Sequence, residues 1–166
     1  RIVKAQLIPR CLRRGALFAS VLAISLIPAG AVAQGYQDNG EGLAAVGQLG
    51  DPGKVSRTIE ITMVDNRFKP AEIKVKQGET VRFVLRNTGK KKHEMMIGLM
   101  AQLDKHAKMM KQYPDMEHSD PNMVSVDPGK SGELVWQFTE IGTVDFACPR
   151  PGHFKGMRGK FEIEAK

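Results

Sequence analysis

Short runs of alternating apolar and polar residues recur along the chain between Thr58 and Ala165. Alternation with a period of two indicates strands that bury one face. Turn residues, such as those at 77–79 and 127–130, separate the runs. The predicted strands cover residues 58–64, 71–76, 80–86, 93–97, 133–139, 143–147 and 159–165. We therefore expect an all-β protein in which short antiparallel strands form a two-layered β-sandwich.

One segment interrupts this rhythm of strands. Residues 98–113 contain no proline and place Leu99, Leu103, Ala107 and Met110 at helical spacing. A connection containing proline and aspartate follows and leads to the next strand. The pattern predicts a helical insertion, residues 98–123, between two strands of the sandwich.

The first 33 residues have the pattern of a secretory signal peptide. Basic residues precede an apolar run at 16–28, and Ala31-Val32-Ala33 forms a small-residue cleavage site. The run is too short for a membrane-spanning helix, so we expect periplasmic export and no stable membrane insertion after cleavage. A retained N-terminal anchor is the alternative. Residues 34–55, rich in Gly, Asp and Gln, are interpreted as a flexible leader, and residues 56–166 as one domain.

Removal of the signal segment changes what the charge implies. The whole chain carries +7, but the first 33 residues contain five basic and no acidic side chains. The remaining 133 residues hold 20 basic and 18 acidic side chains, a net charge of +2. This near balance of charges argues against a nucleic-acid partner.

We also expect the protein to be a monomer.

The candidate chemistry is concentrated near the C-terminus, in Cys148-x4-His153-x3-Met157. Beyond the signal segment Cys148 is the only cysteine, and His93 lies in a strand upstream. A thiolate, two imidazoles and a weak thioether are the donors of a mononuclear electron-transfer copper centre. The sequence therefore predicts one copper ion bound by His93, Cys148, His153 and Met157.

Other interpretations of the same residues remain open. Cys148 could form an intermolecular disulfide or be an inert buried thiol, and Met157 could simply fill the core. Zinc would accept the cysteine and histidines, but it normally recruits a further thiolate, imidazole or carboxylate in place of a thioether. Met157 therefore favours copper over zinc.

At these residues the chain resembles the cupredoxin family. The Cys148, His153 and Met157 spacing is similar to that of azurin, and residues 64–68 and His93-Glu94-Met95 resemble exported cupredoxins associated with copper handling. The resemblance covers about residues 58–165. It implies a Greek-key β-sandwich with a type 1 copper whose strong ligands are His93, Cys148 and His153, with Met157 axial. Glu94 departs from the family, because many small cupredoxins carry there an Asn or Ser that braces the cysteine loop.

The insertion raises a question about function. Methionines and histidines crowd into residues 95–123, and these could bind Cu(I) in a looser second site. The alternative is that the helix packs its methionines on the sandwich and exposes His106. The donors are Met95, Met96, Met100, Met109, Met110, Met116, Met123, His106 and His118.

Two functions follow from these features. The first is a periplasmic one-electron carrier that docks to a redox protein near His153. Pro149, Pro151 and Phe154 would supply an apolar patch there, and basic side chains (Arg150, Lys155 and Arg158) would attract an acidic partner. The second is a copper-tolerance protein that sequesters or delivers copper with the same site plus the insertion. We expect no enzymatic activity, because a copper oxidase would need further histidine clusters and a binuclear centre a second cysteine.

Overall fold

In a computed structural model, residues 46–114, 116 and 119–166 form ten strands and one α-helix. The predicted signal peptide, leader residues 34–45 and His118 lie outside these residues. The strands are β1 (Gln48–Leu49), β2 (Arg57–Val64), β3 (Arg67–Lys69), β4 (Glu72–Lys76), β5 (Thr80–Asn87), β6 (His93–Gly98), β7 (Met123–Val126), β8 (Ser131–Gln137), β9 (Gly142–Ala147) and β10 (Arg158–Glu164). The helix α1 is Met100–Gln112, and a 3₁₀ turn covers Pro52–Lys54.

The strands form two five-stranded sheets, which confirms the predicted β-sandwich. The first sheet has the order β1-β8-β5-β2-β3 and the second β4-β10-β9-β6-β7. Two neighbouring pairs, β2 with β5 and β4 with β10, are parallel, so the expectation of antiparallel strands holds only for the other pairs. The two parallel pairs arise because the chain changes sheets before it returns beside an earlier strand.

The alternating residues fill the space between the sheets. In β5 the side chains of Val81, Phe83 and Leu85 are buried, as their alternation predicts. Phe161 of β10 contacts Phe83 and Phe146 with ring centroids 5.1 and 4.7 Å apart. These aromatic contacts join the two layers and fix the strands that carry the site.

The sandwich includes residues before the predicted domain start at Ser56. Val46 is buried, and its carbonyl oxygen accepts a hydrogen bond from Trp136 Nε1 at 3.0 Å. Strand β1 then pairs with β8. Residues before Ser56 therefore contribute to the first sheet, through the burial of Val46 and the pairing of β1.

The predicted helix is present as α1, inserted between β6 and β7. It packs against β6 and β9 and buries Leu103, His106, Ala107 and Met110. His106 is only 2% exposed, so the expectation that packing would leave it on the surface is wrong. Leu99 is exposed instead, since the chain at that point is still entering the helix. Within the described residues, no helix is long and apolar enough to cross a bilayer.

Candidate metal centre

The candidate ligands lie at one end of the second sheet. His93 is the first residue of β6, and Cys148 directly follows β9, the antiparallel neighbour of β6. Residues 148–157, here the ligand loop, connect β9 to β10, and Met157 directly precedes β10. Because β6 begins where β9 ends, residues 55 positions apart in sequence meet at the same edge.

Three of the four predicted ligands converge. The donor atoms of His93, Cys148 and His153 all lie within 4.8 Å of one another. The Nδ1 atoms of the two histidines are 3.2 Å apart, and Cys148 Sγ is 3.5 Å from His153 Nδ1. All three side chains are buried, and His153, at 7% exposed, is the nearest of them to solvent.

Met157 is held beside the cysteine by the backbone. Cys148 N–H donates to the carbonyl of Met157 at 3.0 Å, and Met157 N–H donates to the carbonyl of His153 at 2.9 Å. Gly152 has φ +81, a left-handed conformation that glycine adopts without steric cost. The tight loop thus brings residues 148, 153 and 157 together, and the Met157 side chain is fully buried.

Burial and neighbouring groups shift the pKa values of two candidate ligands. Burial raises the pKa of Cys148 to about 11, although N–H groups of Glu94 and Arg150 partly oppose this effect. Burial also lowers the pKa of His153, and the neighbouring side chains of His93, Lys91 and Arg150 act in the same direction. Without a metal the thiol is protonated at neutral pH and His153 is neutral, so a metal ion must displace the thiol proton but finds an available imidazole nitrogen.

A carboxylate contacts the buried His93 from the other sheet. Asp65 Oδ1 lies 3.2 Å from His93 Nε2 and also accepts the N–H of Lys90 at 3.0 Å. Desolvation alone would raise the pKa of Asp65, but these hydrogen bonds outweigh it and the pKa is lowered. Asp65 is therefore an ionised acceptor beside a candidate ligand.

Glu94 braces the ligand loop through its charge. Its N–H donates to Cys148 Sγ at 3.4 Å, and its Oε1 accepts from Arg150 Nη1 at 2.9 Å. Glu94 is 5% exposed, and within the described residues its Oε2 has no hydrogen-bond partner. An ion pair thus stands where many cupredoxins use Asn or Ser, and it joins β6 to the residue two positions after the cysteine.

The supporting roles of Asp65 and Arg150 could not be predicted from the sequence. Asp65 is 28 positions from His93 and lies in the turn after β2, where an aspartate is ordinary. Arg150 was expected to act on a partner, but it pairs with Glu94. No spacing links either residue to the site, because their contacts depend on how the two sheets and the loop pack.

The surface beside His153 differs from the predicted patch. Pro149 is buried, whereas Pro151 is exposed and Phe154 half-buried. Arg158 stacks its guanidinium 4.1 Å from the centroid of the Phe154 ring and donates to the Phe154 carbonyl at 2.7 Å. The loop therefore presents a small aromatic surface that carries a cation.

The donor set fits copper. A buried thiol and two imidazoles within bonding reach of a common point, with a thioether residue anchored alongside, match the mixed softness that copper requires in both oxidation states. Fold and site together define the class of small β-sandwich proteins that hold copper at the end of one sheet. Copper is the cofactor.

Comparisons with known proteins agree with that class. The family model described as a cupredoxin-like domain matches residues 44–114. A solved structure of reduced auracyanin from Roseiflexus castenholzii is similar, with a TM-score of 0.58 and 24% identity over 66% of this chain and 98% of that one. At this identity the likeness concerns the fold alone.

Sequence relatives narrow the assignment. The copper-resistant cuproprotein CopI of Rubrivivax gelatinosus is 52% identical over 70% of this chain and 72% of its own. A protein of the same name from Pseudomonas aeruginosa is 36% identical over 91% of this chain and 98% of its own. The chain therefore belongs to the cupredoxin family, in the group that these copper-resistant cuproproteins form.

Proposed function

We propose that this protein acts in the periplasm as a non-catalytic copper-tolerance protein that sequesters or delivers copper. Its strong ligands would be His93, Cys148 and His153, and Met157 would be a weak axial ligand. The observation that carries the proposal is the convergence of three buried donors within 4.8 Å at the end of one sheet. The names of the relatives favour tolerance over electron transfer.

The chain's own residues would perform this role in distinct ways. Copper, when bound, prefers soft donors such as thiolate and thioether, and it can change between Cu(I) and Cu(II) by one electron. Cys148 and His93 are fully buried, so they hold the ion away from solvent. His153 lies nearest to solvent and would form the side through which copper enters and leaves. The Glu94–Arg150 pair keeps the ligand loop closed against β6.

A one-electron carrier is the second candidate. It is favoured by the burial of the candidate ligands and the hydrogen bonds within their loop, because ligands that do not rearrange between oxidation states give a small reorganisation cost. A redox partner, or a protein that receives the copper, would dock at the surface formed by Phe154 and its neighbours. Lys155 is exposed there, and Arg158 presents its charge on the Phe154 ring, so the partner would be acidic.

Copper tolerance in cells tests the proposal. The full chain, expressed in a copper-sensitive bacterial host, should restore growth on copper, and Cys148→Ser should abolish that rescue at equal protein level. Full rescue by Cys148→Ser would overturn the proposed function. A matched surface variant separates copper sequestration from the two functions that need a docked partner, which are copper delivery and electron transfer. Lys155→Glu should leave tolerance intact if copper is sequestered, whereas a carrier would lose electron-transfer rate with an acidic partner.

A further inference from the structure

The strongest unassigned contact in the molecule is the one between Asp65 and His93. The His93 ring is fully buried, and its Nε2 atom faces Asp65 Oδ1 at 3.2 Å. Asp65 belongs to the turn between β2 and β3 of the first sheet, whereas His93 begins β6 of the second. The carboxylate therefore reaches a candidate ligand from the opposite layer of the sandwich.

The surroundings are built to hold this carboxylate. Lys90 N–H donates to the same Oδ1 at 3.0 Å, which fixes the Asp65 side chain against the loop before β6. Gly89 leaves the necessary room, since a Cβ there would collide with Asp65 Oδ1 and lie 3.1 Å from its Cγ. Two independent features of one loop, a donor and a missing side chain, thus position the carboxylate at His93.

The chemistry of this pair determines which nitrogen can bind a metal. An ionised carboxylate only accepts hydrogen bonds, so His93 Nε2 carries the proton of this contact and Nδ1 is the nitrogen left to bind a metal. The lone pair is then on Nδ1, which faces His153 Nδ1 at 3.2 Å inside the donor cluster. Carboxylate partners of this kind fix the tautomer and orientation of a ligating histidine and increase its basicity.

We propose that Asp65 is a positioning residue that sets the tautomer of His93 and, through its negative charge, favours Cu(II) over Cu(I) in the site. The inference rests on the proposed function, because it takes His93 as a ligand. Glu94 and Arg150 brace the cysteine side of the site, so Asp65 would be the corresponding support on the histidine side.

Asp65→Asn separates charge from geometry, since asparagine keeps the size and an acceptor oxygen. We expect affinity for Cu(II) to fall about 10-fold relative to Cu(I), within the 10- to 100-fold range typical of such partners. For a one-electron couple that is a rise in reduction potential of about 59 mV. Visible absorption and titration with Cu(I) and Cu(II) measure it. An unchanged potential and affinity ratio would overturn the charge effect.

Asp127→Asn is the matched control. Asp127 is an exposed carboxylate 3.7 Å from Lys92, the residue before His93, and the variant removes the same charge without touching a candidate ligand. Screening by solvent should leave its potential at the wild-type value. A shift equal to that of Asp65→Asn would show a general charge effect and overturn a specific role for Asp65.

The metal-free protein gives an independent measurement. Nitrogen NMR of the His93 ring should show the proton on Nε2 in the wild type and a mixture of tautomers in Asp65→Ala. The wild-type pattern in that variant would overturn the positioning role. Gly89→Ala perturbs the same carboxylate from the loop and should shift the tautomer in the same direction.

One further variant distinguishes failure of this inference from failure of the proposed function. If His93 is not a ligand, His93→Gln leaves the copper absorption unchanged, and the proposed ligand set is wrong. If His93→Gln alters the absorption while Asp65→Asn matches the wild type, the ligand set stands and only the role of Asp65 is wrong.

Discussion

The ligand loop and the helical insertion are both rich in metal donors, but the structure uses them differently. In the ligand loop, Cys148 and His153 lie within 4.8 Å of each other and of His93. In the insertion, Met110 is 1% exposed and His106 2% exposed, on the helix face that packs against the sheet. The turns of the loop bring its donors toward one another and toward His93, whereas the packing of the helix turns Met110 and His106 toward the sheet.

The largest effect should come from removing the sulfur of the ligand loop. Cys148→Ser should abolish the intense thiolate-to-copper absorption, because a hydroxyl cannot replace the charge-transfer donor. Visible absorption and electron paramagnetic resonance of the copper-loaded protein measure this loss. Met109→Leu, which removes a half-buried sulfur from the insertion, is the control and should leave the spectrum unchanged. If the band survives in Cys148→Ser, Cys148 is not the copper ligand that produces it, and the contrast between the two regions is wrong.

A stability measurement tests whether the insertion is structural. Leu103 is fully buried in a cluster with Met96 and Ala147, against which Phe154 packs. Leu103→Ala should lower the free energy of unfolding by about 2–5 kcal/mol, the usual cost of a core cavity. Chemical denaturation measures this cost. One copper per chain should still bind with its normal colour. If the folded Leu103→Ala protein no longer bound copper, the insertion would contribute to the site.

Three of the four candidate ligands could be proposed from sequence because they are close together in the chain. Cys148, His153 and Met157 share one loop, and the alternation around residues 80–86 and 159–165 predicts the sandwich that supports it. Strands β1, β3 and β7 were missed, since two to four residues carry too little periodicity. Asp65 and the Glu94–Arg150 pair were missed for another reason. Their contacts depend on how the two sheets and the ligand loop pack, and the spacing of residues in the sequence does not indicate that packing.

The ion pair on the ligand loop gives the next effect in size. Arg150→Ala would leave the Glu94 carboxylate buried and unpaired, and we expect a loss of about 1–3 kcal/mol in the free energy of unfolding. Arg150→Ala should cost less when it is introduced into the Glu94→Gln variant, because that variant has no buried carboxylate charge that could lose its partner. Thermal denaturation of the four proteins in this cycle measures the coupling. Equal costs in both backgrounds would mean that Glu94 does not brace the loop.

The smallest effect separates one methionine from another. Met157 and Met110 are both almost fully buried, and Leu conserves the volume of either, so each Met→Leu change should cost less than about 1.5 kcal/mol. Their effects on copper should differ. Met157→Leu should raise the reduction potential and keep the colour, because an axial thioether tunes the centre more than it holds it. Met110→Leu should leave the potential unchanged. Redox titration followed by visible absorption compares the two, and equal potentials in both variants would assign Met157 to the core rather than to the copper.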